Sequence, residues 1–321
     1  MINLFEFNNY KIDTKKLDHL LHGSAVRKLE EQICEYVGAK YCASFCSASF
    51  IIELMFSRPE FINDETSLDI PSMIPPVVPN ALHHAGMEIY LNDDVDWVGH
   101  SYVLWQEFMG DKKIVDSAQQ LDRNQFSDNC NDDDYMIFSL YPTKPLSSLD
   151  GGLVVSNNKE GIELLSSLGF YGMKREIDSW SREPIRYGHK TYLPTIQAEL
   201  ALENLRFLDE RHEKIDYIRN YYNKNLGLKN TSRHLYRIRV DNNQDAIKWF
   251  KEQGIITGVH YKPIHQIELY NHYEWDWHLR YHDIPKVNNH GETTLSIPFH
   301  HKLQDNDIEY IVEKVQEYKN A

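Results

Sequence analysis

The sequence predicts an α/β fold for residues 1–210, with a mostly parallel sheet between helices, and a smaller α+β domain for residues 211–321. Three observations lead there. Short apolar runs alternate with segments of helical spacing, the pattern of strands joined by crossover helices. Several runs end in small, acidic or hydroxyl-bearing residues, as expected where such a sheet opens its ligand crevice at the carboxyl ends of its strands. From about Arg211 the order changes to a long helix, a strand, a helix and further strands.

Apolar residues at helical spacing run from Val26 to Val37, and Gly38 ends that helix. Tyr41–Phe45 is a short strand, followed by Ser47-Ala48-Ser49 and a helical run from Phe50 to Phe56. Small residues between a strand and a helix expose the helix's first amides, an anion site; a serine N-cap without a ligand is the alternative. A strand around Asp69–Pro71, a proline-rich loop, a helix up to Gly86 and a strand at Met87–Leu91 come next. The stretch from Lys112 to Gln120 contains a buried strand closing on Asp116. The chain then turns from polar, at Asp132–Tyr135, to an apolar strand ending at Pro142, with Lys144 just beyond and Gly151-Gly152 opening another run. A polar region from Lys174 to Lys190 precedes a helix over Pro194–Leu208. In the second unit a helix continues through Tyr222, a strand spans about His234–Val240 and a helix covers Gln244–Gln253. Strands at Gly254–Gly258 and Thr294–Phe299 and a helix over Asp305–Tyr318 complete the chain.

Asp and Glu total 48 against 34 Lys and Arg, a formal charge of −14, which opposes non-specific binding to nucleic acid or an anionic membrane. The first residues lack a basic, then apolar, leader pattern, so no signal peptide is expected. No run approaches the ~18 apolar residues of a membrane span. Cys34, Cys42, Cys46 and Cys130 have no second Cys/His pair at zinc spacing and read as reduced thiols of a cytoplasmic protein. Adjacent histidines such as His83-His84 and His300-His301 point different ways, so no metal is expected.

Lys144 sits in an otherwise uncharged stretch from Met136 to Leu149. Desolvation there lowers an amine's pKa toward a nucleophile, although a solvated edge lysine is the commoner fate of this pattern. Ser47–Ser49, Asp116 and Ser139–Lys144 all fall at one predicted sheet edge. A lysine, an acid and an anion-binding turn together are what pyridoxal phosphate chemistry requires: a Schiff-base amine, a partner for the ring nitrogen and a phosphate cradle.

In these residues the chain resembles the DegT/DnrJ/EryC1/StrS family of pyridoxal-phosphate-dependent sugar aminotransferases, over about Ser24 to Val315. Asp116-Ser117-Ala118-Gln119 is similar to the family's Asp-x-Ala-Gln/His segment. Phe138–Lys144 with Gly151-Gly152 is similar to its Ser-Phe-x-x-x-Lys and Gly-Gly pattern. Gln197-Ala198-Glu199-Leu200, His260–His265 and Leu295–His300 match three later landmarks. The resemblance implies a fold-type I, aspartate-aminotransferase-like large domain. It makes Lys144 the internal aldimine lysine and, once released, the base that moves a proton between substrate and cofactor. It makes Asp116 the partner of the pyridine nitrogen, with Gln119 beside the ring oxygen and Ala118 on one ring face. Ala48, Ser49 and Ser139 would hold the phosphate.

The departures carry their own expectations. Ser47-Ala48-Ser49 stands where the family has Ser-Gly-Thr and keeps the hydroxyl. The family covers the second ring face with an aromatic residue; the loop Ser72–Pro76 has none, and the nearest ring in sequence is His83. The family's Gly-x-Asn-x-Arg segment, which reaches a neighbouring subunit's cofactor phosphate, reads Gly188-His189-Lys190-Thr191-Tyr192. Lys190 can act there as a point charge, whereas Tyr192 cannot replace an arginine. Arg182, Arg186 and Lys190 are candidates for a donor carboxylate or a diphosphate, the two arginines having a solvated polar loop as their alternative. Tyr192, Tyr261 and His265 are further substrate-site candidates. The implied activity is transfer of an amino group from a donor, foremost L-glutamate, through pyridoxamine phosphate to a nucleotide-linked keto sugar, for polysaccharide or antibiotic sugars. A homodimer with the site at its interface is implied as well. Alternatives are a smaller phosphorylated ketone as acceptor, a sugar dehydratase, which the lysine at position 144 opposes, and a non-enzymatic homologue with a degenerate pocket.

Overall fold

The structure, a computed structural model, describes residues 1–7, 15, 17–18, 23–62, 67–108, 110–174, 183–271, 279–281 and 283–320. In chain order the elements are α1 (Ser24–Val37), β1 (Tyr41–Phe45), α2 (Ala48–Phe56), α3 (Pro59–Ile62), β2 (Ser67–Pro71), α4 (Val77–His84), β3 (Glu88–Asn92), β4 (Tyr102–Gln106), β5 (Lys113–Asp116) and α5 (Gln125–Asn129). Then come β6 (Tyr135–Ser139), β7 (Gly152–Ser156), α6 (Lys159–Gly169), α7 (Thr195–Arg206), α8 (Leu208–Leu226), β8 (Tyr236–Arg239) and α9 (Asn243–Glu252). The last are α10 (Glu268–Asn271), β9 (Leu279–Tyr281), α11 (Pro285–Thr293), β10 (Thr294–Ile297) and α12 (Asp305–Asn320).

A five-stranded sheet in the order β1-β7-β6-β5-β4 carries the large core. It is mixed. β5 and β6 run parallel, joined through α5, whereas β7 is antiparallel to both β6 and β1, and β4 is antiparallel to β5. The reason is connection length: a parallel neighbour needs a crossover of a dozen or more residues, usually helical. Gln106 and Lys113 are instead joined by a hairpin, closed by the Glu107 amide donating to the Lys112 carbonyl at 2.9 Å. The expected parallel pairing is complete in the second sheet, β2-β3-β9. β4 has no counterpart in the sequence reading. The strand expected over Gly254–Gly258 is reduced to single bridges, Ile2 to Ile255 and Gly258 to Ser296, and β8 pairs with β10.

α1 illustrates how the elements form. Leu29 and Ile33 lie on one helical face and are fully buried, each contributing about 1.5–3 kcal/mol. Gly38 then takes a left-handed conformation (φ 76°) and returns its amide to the Cys34 carbonyl, a glycine C-cap. One core fills each face of the main sheet, and a third, from Ile215 to Val315, lies between α8, α9, α12 and the β8–β10 pair. α8 runs through the expected boundary at residue 210, with Leu208 in the large core and Ile218 and Tyr222 in the C-terminal one. No described helix is long and apolar enough to cross a membrane.

Candidate functional site

Three chain segments meet at one edge of the main sheet. β5 ends at Asp116 and β6 at Ser139, and β1 leads into α2 through Ser47. β7 begins at this edge, so Gly152 lies opposite both Phe45 and Ser139. Beyond the strand ends lies a cavity of about 490 Å³ whose lining includes Ala48, Ser49, Asp116, Ala118, Gln119, Ser139 and Lys144. A larger outer groove of about 750 Å³ along α1 and α6 contains none of these residues. The chemistry, rather than the volume, singles out the cavity at the sheet edge.

At the α2 end, Ser47 caps the helix, its hydroxyl accepting from the Phe50 amide at 3.2 Å and lying 3.2 Å from the Ser49 hydroxyl. The cap and the anion site are therefore compatible. Ser47 serves the helix, and Ala48 and Ser49 stay at the cavity with the positive end of the helix dipole. Gly152 makes this possible, because a Cβ there would lie 2.4 Å from the Ala48 nitrogen. Gly152→Ala is expected to push the start of α2 outward, cost about 1–3 kcal/mol of stability and weaken inorganic phosphate binding. Chemical denaturation and calorimetric phosphate titration check this, and an unchanged variant would remove Gly152 from the cradle.

Asp116 is 5% exposed. One carboxylate oxygen accepts from the Ala118 amide and the other from the Tyr102 hydroxyl, each at 2.9 Å. Burial raises the Asp116 pKa, opposed by these two donors and the Lys144 charge. Lys144 follows β6 in a turn, its amide donating to the Tyr141 carbonyl at 2.9 Å. Its ammonium makes no hydrogen bond or ion pair among the described residues, and burial brings its pKa down to about 8 against the pull of Asp116. The pair thus sits within electrostatic reach but out of contact, a carboxylate held by its own donors and an amine free to react. Gln119 is anchored by its side-chain oxygen, which accepts from the Gly99 amide at 2.8 Å.

The other sequence candidates separate. Tyr261 lines the cavity. His265 is buried in a hydrogen-bonded chain between Ser72 and Asn288, outside the lining. Tyr192 also lies outside it, buried against Phe170 and Tyr171. Arg186 is on the outer groove, and Lys190 is exposed and bridged to Phe170. Arg182 falls outside the described residues. His83, on α4, does not reach the cavity either; the rings that line it come from Phe5, Trp97, His100, Tyr141, His234, His260 and Tyr261. Sequence reasoning missed Trp97, His100, Tyr102 and His234. The one available signal was the position of His260 beside Tyr261 in a landmark segment. Among the described residues no group of His, Cys, Asp and Glu could hold a metal ion.

This donor set fits pyridoxal phosphate. A Cβ-free approach at Gly152 holds the start of α2 at one end, a buried carboxylate stands at another position, and an unpaired amine shares the cavity. The sequence pattern of the DegT/DnrJ/EryC1/StrS aminotransferase family matches residues 114–316, spanning β5 to α12. A UDP-4-amino-4,6-dideoxy-N-acetyl-beta-L-altrosamine transaminase of Campylobacter jejuni is 23% identical, over 96% of each chain. Helicobacter pylori PseC, an aminotransferase involved in the biosynthesis of pseudoaminic acid, superposes over the full length of both chains with a TM-score of 0.79 at 19% identity. The sugar aminotransferase CalS13 from Micromonospora echinospora gives a TM-score of 0.76 at 16% identity, over 99% of this chain and 100% of its own. These structural likenesses bear on the fold, which is the α/β aminotransferase fold.

Proposed function

Because the chain belongs to the DegT/DnrJ/EryC1/StrS aminotransferase family, we propose that it moves an amino group from an amino acid, foremost L-glutamate, to the keto group of a nucleotide-linked deoxysugar. The observation that carries this reading is the meeting of Lys144, Asp116 and the start of α2 in one cavity. The relative's name supports a nucleotide-sugar acceptor, since the Campylobacter protein is a transaminase of a UDP-linked amino sugar. Bound pyridoxal phosphate would supply an electron sink and a carrier for the amino group.

The chain's own residues do the rest. The first amides of α2, with the Ser49 and Ser139 hydroxyls, bind the phosphate. Asp116, whose two carboxylate oxygens are held by Tyr102 and Ala118, would hold a proton on the ring nitrogen. Ala118 and Gln119, which line the cavity, would hold the ring, Ala118 by packing and Gln119 through its side-chain amide. Lys144, with its pKa near 8, would be a nucleophile as the free amine toward the cofactor's aldehyde and a general base once a substrate amine has displaced it. Lys190, exposed and outside this chain's cavity, is assigned to the partner's phosphate in a homodimer of the cytoplasm.

The test is an absorption spectrum of the purified protein with pyridoxal phosphate, before and after L-glutamate. Loss of the yellow band in favour of the pyridoxamine form is the expected result, and keto-sugar nucleotides should then restore it. A band that no amino acid alters would overturn the transfer reading.

A further inference from the structure

Phe5, almost at the start of the chain, lines the cavity. The segment around it is pinned to the C-terminal core. The Ile2 amide donates to the Gly254 carbonyl at 2.7 Å, and the Ile256 amide donates to the Ile2 carbonyl at 2.9 Å. A ring nitrogen of His300 donates to the Asn3 carbonyl at 3.1 Å, and Lys302 donates to the Phe7 carbonyl. On the N-terminal segment all of these are backbone groups. They fix where position 5 falls, and leave the choice of side chain there to the cavity.

The Phe5 ring meets two histidines. Its centroid is 6.2 Å from that of His234, the planes 27° apart, and 5.7 Å from that of His260, edge-on at 89°. His260 stands edge-on to Tyr261 at 5.0 Å, and Trp97 stacks on Tyr261 at 6.2 Å, so an unbroken row of rings lines the cavity. Phe5, Lys144 and His234 also line a neighbouring chamber of about 80 Å³, which places both rings beside the lysine. Burial and the Lys144 charge hold both imidazoles uncharged at neutral pH, His260 with its pKa down to about 4. A neutral imidazole offers one N–H and one acceptor nitrogen. One His260 nitrogen, Nδ1, lies 2.9 Å from the Ser296 hydroxyl, while the His234 ring, 6% exposed, makes no hydrogen bond among the described residues.

We infer that Phe5, His234 and His260 form the wall on which the acceptor's sugar ring packs, and that this wall selects an uncharged ring over one bearing a carboxylate. This rests on the amino-transfer reading above and adds to it the residues that hold the sugar and the kind of sugar they accept. An acceptor whose keto carbon reacts at the Lys144 end has to place the rest of its ring in the space beside that lysine. There the C–H face of a pyranose finds an aromatic surface, and its hydroxyls find neutral imidazoles. A carboxylate on the ring would face a wall without a cation, and burying an unpaired charge is costly. Arg237, whose charge reaches His260 and Tyr261, is not part of the lining. The nucleotide's diphosphate and the donor's carboxylates need cations and are therefore not assigned to this wall.

The experiment titrates the protein loaded with pyridoxamine phosphate with UDP-glucose, UDP-glucuronate and UDP by calorimetry. None of these carries a keto group, so binding is read without turnover. The parent protein should bind UDP-glucose more tightly than either UDP-glucuronate or UDP. Phe5→Ala should weaken UDP-glucose by about fivefold to thirtyfold and leave UDP within about twofold, with Phe5→Leu in between. His234→Phe, which keeps a ring and removes the nitrogens, should cost about threefold to tenfold for UDP-glucose alone. Unchanged UDP-glucose affinity in Phe5→Ala, an equal loss for UDP, tighter binding of UDP-glucuronate than of UDP-glucose, or no sugar-nucleotide binding by the parent would each overturn the assignment. Should Phe5→Ala not fold, Phe5→Leu and His234→Phe carry the same comparison. A protein that L-glutamate converts to the pyridoxamine form but that binds UDP-glucose no better than UDP would defeat the wall and leave amino transfer standing. A Phe5-dependent gain for UDP-glucose in a protein whose yellow band no amino acid alters would do the reverse.

Discussion

Lys144→Ala is expected to yield a folded protein that forms no borohydride-reducible adduct with pyridoxal phosphate and has no measurable turnover. Lys144 is the one lysine lining the described cavity, so no other described amine can take its place. Peptide mapping after reduction checks the outcome, and a label on a different peptide would sink the assignment. The pKa of about 8 adds a pH signature. At pH 7 roughly a tenth of Lys144 is free amine, against roughly one in a few thousand for an unperturbed lysine. Adduct formation should therefore rise through pH 8 and level off well below pH 10. The same shift acts on stability. The folded state holds its Lys144 proton less tightly than the unfolded chain, so stability is lowest below pH 8 and rises between about 8 and 10.5. Removing the cation with Lys144→Met should stabilise the cofactor-free protein at pH 7 by on the order of 1–2 kcal/mol, discounting for the partial exposure of the side chain. An equal or lower melting temperature for that variant would contradict the burial of the ammonium.

Asp116→Asn is expected to lower turnover by about a hundredfold to a thousandfold. Breaking a buried, charged contact costs about 3–5 kcal/mol, and each 1.4 kcal/mol is a factor of ten in rate. The substitution keeps shape and one acceptor oxygen, so the Tyr102 hydroxyl or the Ala118 amide still finds a partner. Cofactor affinity should thus fall far less than rate, because the cradle at α2 is untouched. Comparing the dissociation constant for pyridoxal phosphate with kcat separates the two. Near-normal turnover would mean that another acid keeps the ring nitrogen protonated.

Asp116 and Lys144 could be read from the sequence because Asp116 closes the short apolar strand β5 and Lys144 stands in the turn beyond β6, and strand ends in an α/β sheet converge on one edge. Ser47, Ala48 and Ser49 were legible for the same reason, standing where a strand gives way to the N-cap and first turn of a helix. β4 was not. Its burial alternates irregularly, with a register shift between Val103 and Trp105, so neither strand nor helix period stands out. That one strand delivers Tyr102 to Asp116. The direction of β7 was hidden as well, since it follows from a connection without a helix and not from the composition of the strand.

The sequence by itself determined which residue types stand at the strand ends, and so the chemistry available at the sheet edge. Local periodicity and neighbouring residues are enough for that, because each strand end is defined within a few residues of chain. Only the tertiary structure decided what surrounds that chemistry. Trp97 arrives from the segment after β3, His234 from just before β8, and Tyr261 from beyond α9. It also placed Tyr192 and His265 in packing and hydrogen-bonding roles outside the cavity. Such contacts depend on how separate layers of the fold bury their apolar faces against one another, and that packing leaves no local pattern along the chain.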